Sequence, residues 1–217
     1  MVNTMTITND RDCDLVFYTN PMSRGRIVRW MLEEIGTPYR QVLLEYNKSM
    51  KAVDYLAINP MGKVPAITHK GRVVTECAAI CAYLADSFPE AGLAPALDDR
   101  ADYYRWLFFA AGPLESAVID RNLNVSIRQD QQRMVGYGTY ERTIEVLTSA
   151  VTNRHYITGS DFSAADVYVG SHVIWGLQFG TIPPNDILEQ YAARLMERPA
   201  YKAAMNIDVE LSESSQN

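Results

Sequence analysis

The chain has 217 residues, 47% hydrophobic and 21% charged, with three cysteines, three histidines and a formal net charge of −6 at pH 7. That is enough apolar material for one large or two small globular domains with substantial cores. The mild acidity, with no block of lysine or arginine, argues against nucleic acid or an anionic membrane as the main partner.

Met1–Asp12 is polar and lacks the apolar core of a signal peptide, so residues 1–13 are expected to be a flexible tail. Asp14-Leu15-Val16-Phe17-Tyr18 reads as a short strand and Thr19-Asn20-Pro21 as a turn. Arg24 to Ile35 carries Ile27, Val28, Met31, Leu32 and Ile35 at helical spacing and stops at Gly36. Tyr39 to Leu44 reads as a second strand and Ser49 to Leu56 as a weaker helix. A strand opening at Pro65, a strand over Arg72 to Thr75 and a helix over Glu76 to Asp86 complete a β-α-β-α-β-β-α order, the layout of a mixed sheet with helices on its faces. Turn residues cluster at 88–96, which is expected to be a linker, and from there the β signals vanish. Helices are predicted over Asp98 to Leu123, with a kink at Gly112-Pro113, over Gln129 to Val151, and over Asp186 to Met196. Between the last two, Ser163 and Asp166 stand at the positions of a capping box, with Phe162 and Val167 as its hydrophobic staple. No stretch is long and apolar enough to span a bilayer. Cys13, Cys77 and Cys81 make no disulfide framework, which suits a reducing cytoplasm. His69, His155 and His172 lack metal-ligand spacing, so no metal is expected.

The most informative stretch is Asn59-Pro60-Met61-Gly62-Lys63-Val64-Pro65-Ala66-Ile67, followed by Val74-Thr75-Glu76-Cys77-Ala78-Ala79-Ile80. Proline cannot donate to a sheet ladder, so Pro65 belongs at a strand start or edge. Backbone groups left free beside it can pair with a peptide-like ligand. The helix N-terminus just beyond offers N–H groups and positive dipole to a carboxylate. A short peptide bearing carboxylates suits that pair. A phosphate-loop reading of Gly62-Lys63 fails, because Ala57 and Val64 stand where a Walker loop needs glycine and a hydroxyl residue.

These two motifs resemble the thioredoxin-like domain of the cytosolic glutathione transferases, and the later segments are similar to that family's helical C-terminal domain. Ser163, Asp166, Tyr191, Arg194, Arg198, Pro199 and Ala200 match its capping box, its final helix and the turn after it. The resemblance covers about residues 14 to 203. It implies a glutathione-binding domain over 14–87, an all-helical domain over 97–217, a cis Val64-Pro65 bond and a homodimer. It also implies that the Val64 backbone pairs with the cysteinyl part of glutathione. Glu76 and Cys77, which replaces the family's usual serine, would take the γ-glutamyl end, and Lys63 would reach the glycine carboxylate. Cys77 is a weak donor as a thiol, so its backbone N–H is the expected contact.

Glutathione chemistry needs the thiolate. With a cysteine pKa near 8.5, only about 3% is ionised at pH 7, and lowering it by about two units takes roughly 2.7 kcal/mol of preferential anion stabilisation. In the family the donor lies in the turn after the first strand. Ser23, a hydroxyl at or just before the helix start, with Arg24 and Arg26 adding charge, is similar to the serine-using (theta- and nu-like) branches. The match is offset, since counting back from Arg26 puts the family serine at Met22, here read as a wall of the acceptor pocket. Tyr18 ends the first strand as the catalytic tyrosine does in other branches and is the alternative. The acceptor pocket, which the resemblance puts between the domains, would draw on Tyr104 and Phe108. The activity implied is attack of the glutathione thiolate on a hydrophobic electrophile. The alternatives are a glutathione-dependent disulfide or peroxide reductase, using glutathione's own sulfur, and a non-catalytic binding module on the same fold.

Overall fold

In the computed structural model, which describes residues 7–10 and 12–214, a mixed sheet has the strand order β2-β1-β3-β4. β1 (Leu15–Thr19) runs parallel to β2 (Arg40–Leu43), antiparallel to β3 (Ala66–His69), and β3 is antiparallel to β4 (Arg72–Thr75). The parallel pair requires a crossover, and α1 (Gly25–Ile35) supplies it. The helix buries Ile27, Val28, Met31 and Leu32, the residues whose spacing predicts it. It ends where Gly36 turns to φ 70° and donates its N–H to Leu32 O. The predicted helix over 49–56 is broken: a 3-10 turn, Ser49–Lys51, is separated from α2 (Val53–Leu56) by Ala52 in an extended conformation. α3 (Cys77–Ser87) follows the β3–β4 hairpin. This is the thioredoxin-like layout.

Of the expected tail, residues 1–6 and 11 lie outside the described residues. Ile7 bridges to Tyr39, and Thr8 N donates to Tyr39 O at 2.9 Å, so this part of the segment is paired beside β2.

The chain divides into two compact units, Met1–Gly92 with Glu197–Asn217, and Leu93–Met196. The second is helical. α4 (Ala101–Phe109) and α5 (Glu115–Asn122) are joined by one wide turn, Ala110–Leu114, around the expected kink. Pro113 has no N–H to give, so the helix widens there instead of stopping. The predicted helix over 129–151 divides into a 3-10 segment, Gln129–Met134, a turn closed by Gly138 N on Val135 O, and α6 (Tyr140–Val151). Thr139 caps α6 by accepting from Arg142 N at 3.2 Å.

α7 (Ala164–Gln178) starts at the expected box. Asp166 accepts from Ser163 N, Ser163 Oγ, Ile157 N and the Tyr191 hydroxyl of α8 (Asp186–Met196), at 3.0, 3.1, 2.7 and 2.9 Å. α9 (Pro199–Ser214) is a further helix where the sequence suggests only a turn. Proline's fixed φ suits a first helical position, where its missing N–H costs nothing. α9 packs on α1 and so belongs with the first unit. Among the described residues no helix is long and apolar enough to cross a membrane.

Candidate active site

The sheet register decides what meets at the site. Tyr18 of β1 stands opposite Ala66 of β3, and Ala66 stands opposite Thr75 of β4. The segments just beyond these pairs therefore share one end of the sheet: the loop Asn20–Arg24 ahead of α1, the Val64-Pro65 peptide, and Glu76-Cys77 at the start of α3. Cys77 closes the group by donating its thiol to Arg24 O at 3.7 Å. Two helix N-termini and one peptide are thus brought side by side, two positive dipole ends around a short stretch of backbone.

The loop ahead of α1 is built by Asn20. Its Oδ1 accepts from Met22 N at 2.9 Å and its Nδ2 donates to Leu44 O at 2.8 Å, tying the turn to the segment after β2. Ser23 Oγ donates to Asn20 O at 2.6 Å and accepts from Gly25 N at 2.9 Å, so the hydroxyl caps the first turn of α1. Gly25 lies against Thr19, with no room for a side chain. Met22 is 69% exposed, and its carbonyl accepts from the Tyr46 hydroxyl at 3.2 Å. Arg24 is exposed beside it. Arg26 is half-buried, and its charge bears on Asp208 and Tyr201 of α9.

Tyr18 takes the opposite face of β1 from Phe17, whose ring lies under the Arg29 guanidinium of α1. The Tyr18 ring meets Tyr55 at 5.7 Å and packs on the cluster of Leu44, Met50, Tyr55 and Ala66. It is turned toward α2.

Val64-Pro65 is cis. The loop carrying it is fixed from below: Asn59 Nδ2 donates to Lys63 O at 2.8 Å, and the Tyr55 hydroxyl donates to the same oxygen. Lys51 Nζ donates to Gly62 O at 2.9 Å. Val64 lies outside the β3 ladder, and among the described residues its backbone N–H and C=O have no hydrogen-bond partner. The Lys63 side chain is exposed. Glu76 is exposed and holds φ 67°, a conformation that carries strain in a residue with a side chain and that collects at ligand sites. Cys77 is buried, and Cys81, one turn further on, is buried completely, which pushes its thiol well above the usual cysteine range. Tyr104 and Phe108 lie on α4 in the second unit, 42% and 73% exposed.

Three contributors escape a reading of the sequence. Asn20 reads only as a turn residue; an asparagine side chain that bonds the backbone two residues on is the local signal for its part in the loop, whereas its bond to Leu44 O has none. Gly25 reads as one glycine among twelve. The pairing of buried Arg29 with Asp208 spans 179 residues and has no local signal.

The family model for the glutathione S-transferase N-terminal domain matches residues 14–86. Glutathione S-transferase GstA of Escherichia coli O157:H7 is 28% identical over 188 residues, covering 82% of this chain and 90% of its own. A solved glutathione transferase from Methylococcus capsulatus is similar with a TM-score of 0.73 at 25% identity, covering 89% of this chain and 98% of that one. A sphingomonad glutathione S-transferase, solved in complex with glutathione, aligns with a TM-score of 0.70 at 27% identity over the same shares. The sheet order, the cis Val64-Pro65 bond and the Glu76-Cys77 helix start accord with these likenesses: residues 14–86 match the glutathione S-transferase N-terminal domain, and the chain as a whole is similar to glutathione transferases.

Proposed function

We propose that this chain is a glutathione transferase that activates the glutathione thiolate for attack on a hydrophobic electrophile. The observation that carries the reading is the meeting of two helix N-termini with the unladdered Val64 peptide at one end of the sheet. Val64 N–H and C=O pair with the cysteinyl residue as a short strand would. The γ-glutamyl carboxylate lies at the α3 N-terminus on the Cys77 amide, its amine on Glu76, and Lys63 reaches the glycine carboxylate. That orientation puts the thiol at the start of α1, beside Ser23 and Arg24.

Ser23 is the proposed thiolate donor. Its proton is directed at Asn20 O, and rotation about the Cβ–Oγ bond redirects it to sulfur while Gly25 N continues to donate to the same oxygen. Hydroxyl, dipole and arginine charge then act on one atom. The packing of Tyr18 on Tyr55 argues for Ser23 over the alternative. The three free cysteines support a reducing, cytoplasmic setting, and the family resemblance supports a homodimer.

The test follows thiolate absorbance of bound glutathione against pH, and turnover of a model electrophile, in Ser23→Ala and Tyr18→Phe. Ser23→Ala is expected to raise the bound thiol pKa and to lower the rate by about 10²-fold, as for loss of an oxyanion donor. A raised pKa in Tyr18→Phe alone would make this a tyrosine-type enzyme. No glutathione binding by wild type, in calorimetry and fluorescence alike, would leave the non-catalytic module.

A further inference from the structure

α9 lies antiparallel along α1, and its contacts fall in order from one end to the other. Arg198 grips Glu34 near the C-terminal end of α1 through two bonds of 2.6 and 2.8 Å. Tyr201 meets Trp30 edge-on at 5.0 Å. Asp208 accepts from Arg29 Nε at 2.8 Å, with both side chains completely buried. One turn later Ser212 Oγ bonds to Asp208 O at 2.7 Å and lies 3.6 Å from Met22 Sδ, in the loop ahead of α1.

Arg29 is further held by the Tyr39 hydroxyl at 2.8 Å and by Gln41 Oε1 at 3.1 Å. Among the described residues the second carboxylate oxygen of Asp208 has no hydrogen-bond partner, and neither does the buried Nε of Arg26, one turn earlier on α1. Asp208 thus bonds to Arg29 and also lies in the field of the Arg26 charge. A buried ion pair contributes little net stability over an apolar pair but is costly to break on one side, so it fixes a helix in register. Here the register sets where the last turns of α9 touch the Asn20–Arg24 loop, which Tyr46 holds from its other side.

We propose that Asp208 is a positioning residue for thiolate activation: through Arg29 it pins α9 along α1 and thereby braces the loop that presents Ser23. The role rests on the glutathione transferase reading above.

Amide hydrogen exchange and thiolate titration of the full chain, compared across variants, test it. In Asp208→Asn, amides of Met22 to Arg26 are expected to exchange at least about tenfold faster, while those of the β3–β4 hairpin keep their rates. The thiol pKa of bound glutathione is expected to rise, kcat to fall more than KM changes, and Asp208→Glu to restore part of both. Ser212→Ala, which leaves the ion pair intact, should give the same pattern more weakly and remains readable if Asp208→Asn does not fold. Arg198→Met loosens α9 at the other end and should leave the loop and the thiol pKa alone. Uniformly faster exchange, or an Asp208→Asn profile equal to that of Arg198→Met, would reduce the pair to a structural one and overturn the proposal. Unchanged loop exchange overturns it whether or not glutathione binds. Faster loop exchange in a chain that binds no glutathione would instead sink the transferase reading and, with it, the catalytic part of this one.

Discussion

Gly25→Ala adds one methyl where α1 leaves the sheet. A Cβ there meets Thr19 Oγ1 at 2.0 Å, Ser23 Oγ at 3.0 Å and Thr19 Cβ at 3.2 Å. Thr19 is completely buried, and its own Cβ is part of the obstruction, so rotation of its side chain does not clear the space. Overpacking of this kind costs about 1–3 kcal/mol, against at most about 1 kcal/mol gained from the helix propensity of alanine. A net loss of about 1–2 kcal/mol lowers the melting temperature by roughly 2–8 °C in a chain of this size. The α1 start can relieve the clash only by moving away from β1, and Ser23 moves with it. Thermal melts combined with glutathione-dependent turnover should therefore show both a lower melting temperature and a rate reduced by about tenfold or more. Thr19→Ala removes the obstructing oxygen, so the double variant should recover at least about 1 kcal/mol relative to the sum of the singles. A Gly25→Ala protein as stable as the parent, or an additive cycle, would refute the close-approach argument.

Glu76 separates binding from stability. Glu76→Gly should relieve the positive φ and stabilise the fold by about 1 kcal/mol, while raising the glutathione dissociation constant about tenfold or more. Calorimetry and urea unfolding that moved together would disprove the split. Asp166 gives a pH signature: burial pushes its carboxyl up to about 6, against the pull of its four donors. The folded state then holds the proton more tightly than the unfolded one. Its contribution is therefore complete below about pH 4 and is lost as pH rises through 6, by up to about 3 kcal/mol at about 1.4 kcal/mol per pH unit. The stability difference between wild type and Asp166→Asn should shrink over that window. A difference that widens would mean that the four donors outweigh burial.

What the sequence revealed was local or periodic. The apolar spacing of Ile27 to Leu32 places α1, and Ser163 with Asp166 places the start of α7, because each signal lies within a few residues. The Val64-Pro65 and Glu76-Cys77 segments were recognisable for the same reason. Boundaries shift where a short-range choice overrides the pattern: extended Ala52 cuts the second helix, and the Thr139 cap starts α6 at Tyr140 instead of Gln129. Pro199 reads as part of a turn, and in the fold it opens a helix. The side of β1 that Tyr18 occupies follows from strand alternation, but which face meets α1 is decided only by packing. The partner of Arg29 lies 179 residues away, beyond any window of periodicity.

That distance also sets an order of events during synthesis. At roughly 5–20 residues per second, Asp208 leaves the ribosome about 10–40 s after Arg29. For that interval the nascent sheet has its helix, its hairpin and its cation but no counter-charge, and the whole helical unit is made in between. The unit that is translated first is therefore completed only after the other has been made, and its Asn20–Arg24 loop acquires the Ser212 contact later still.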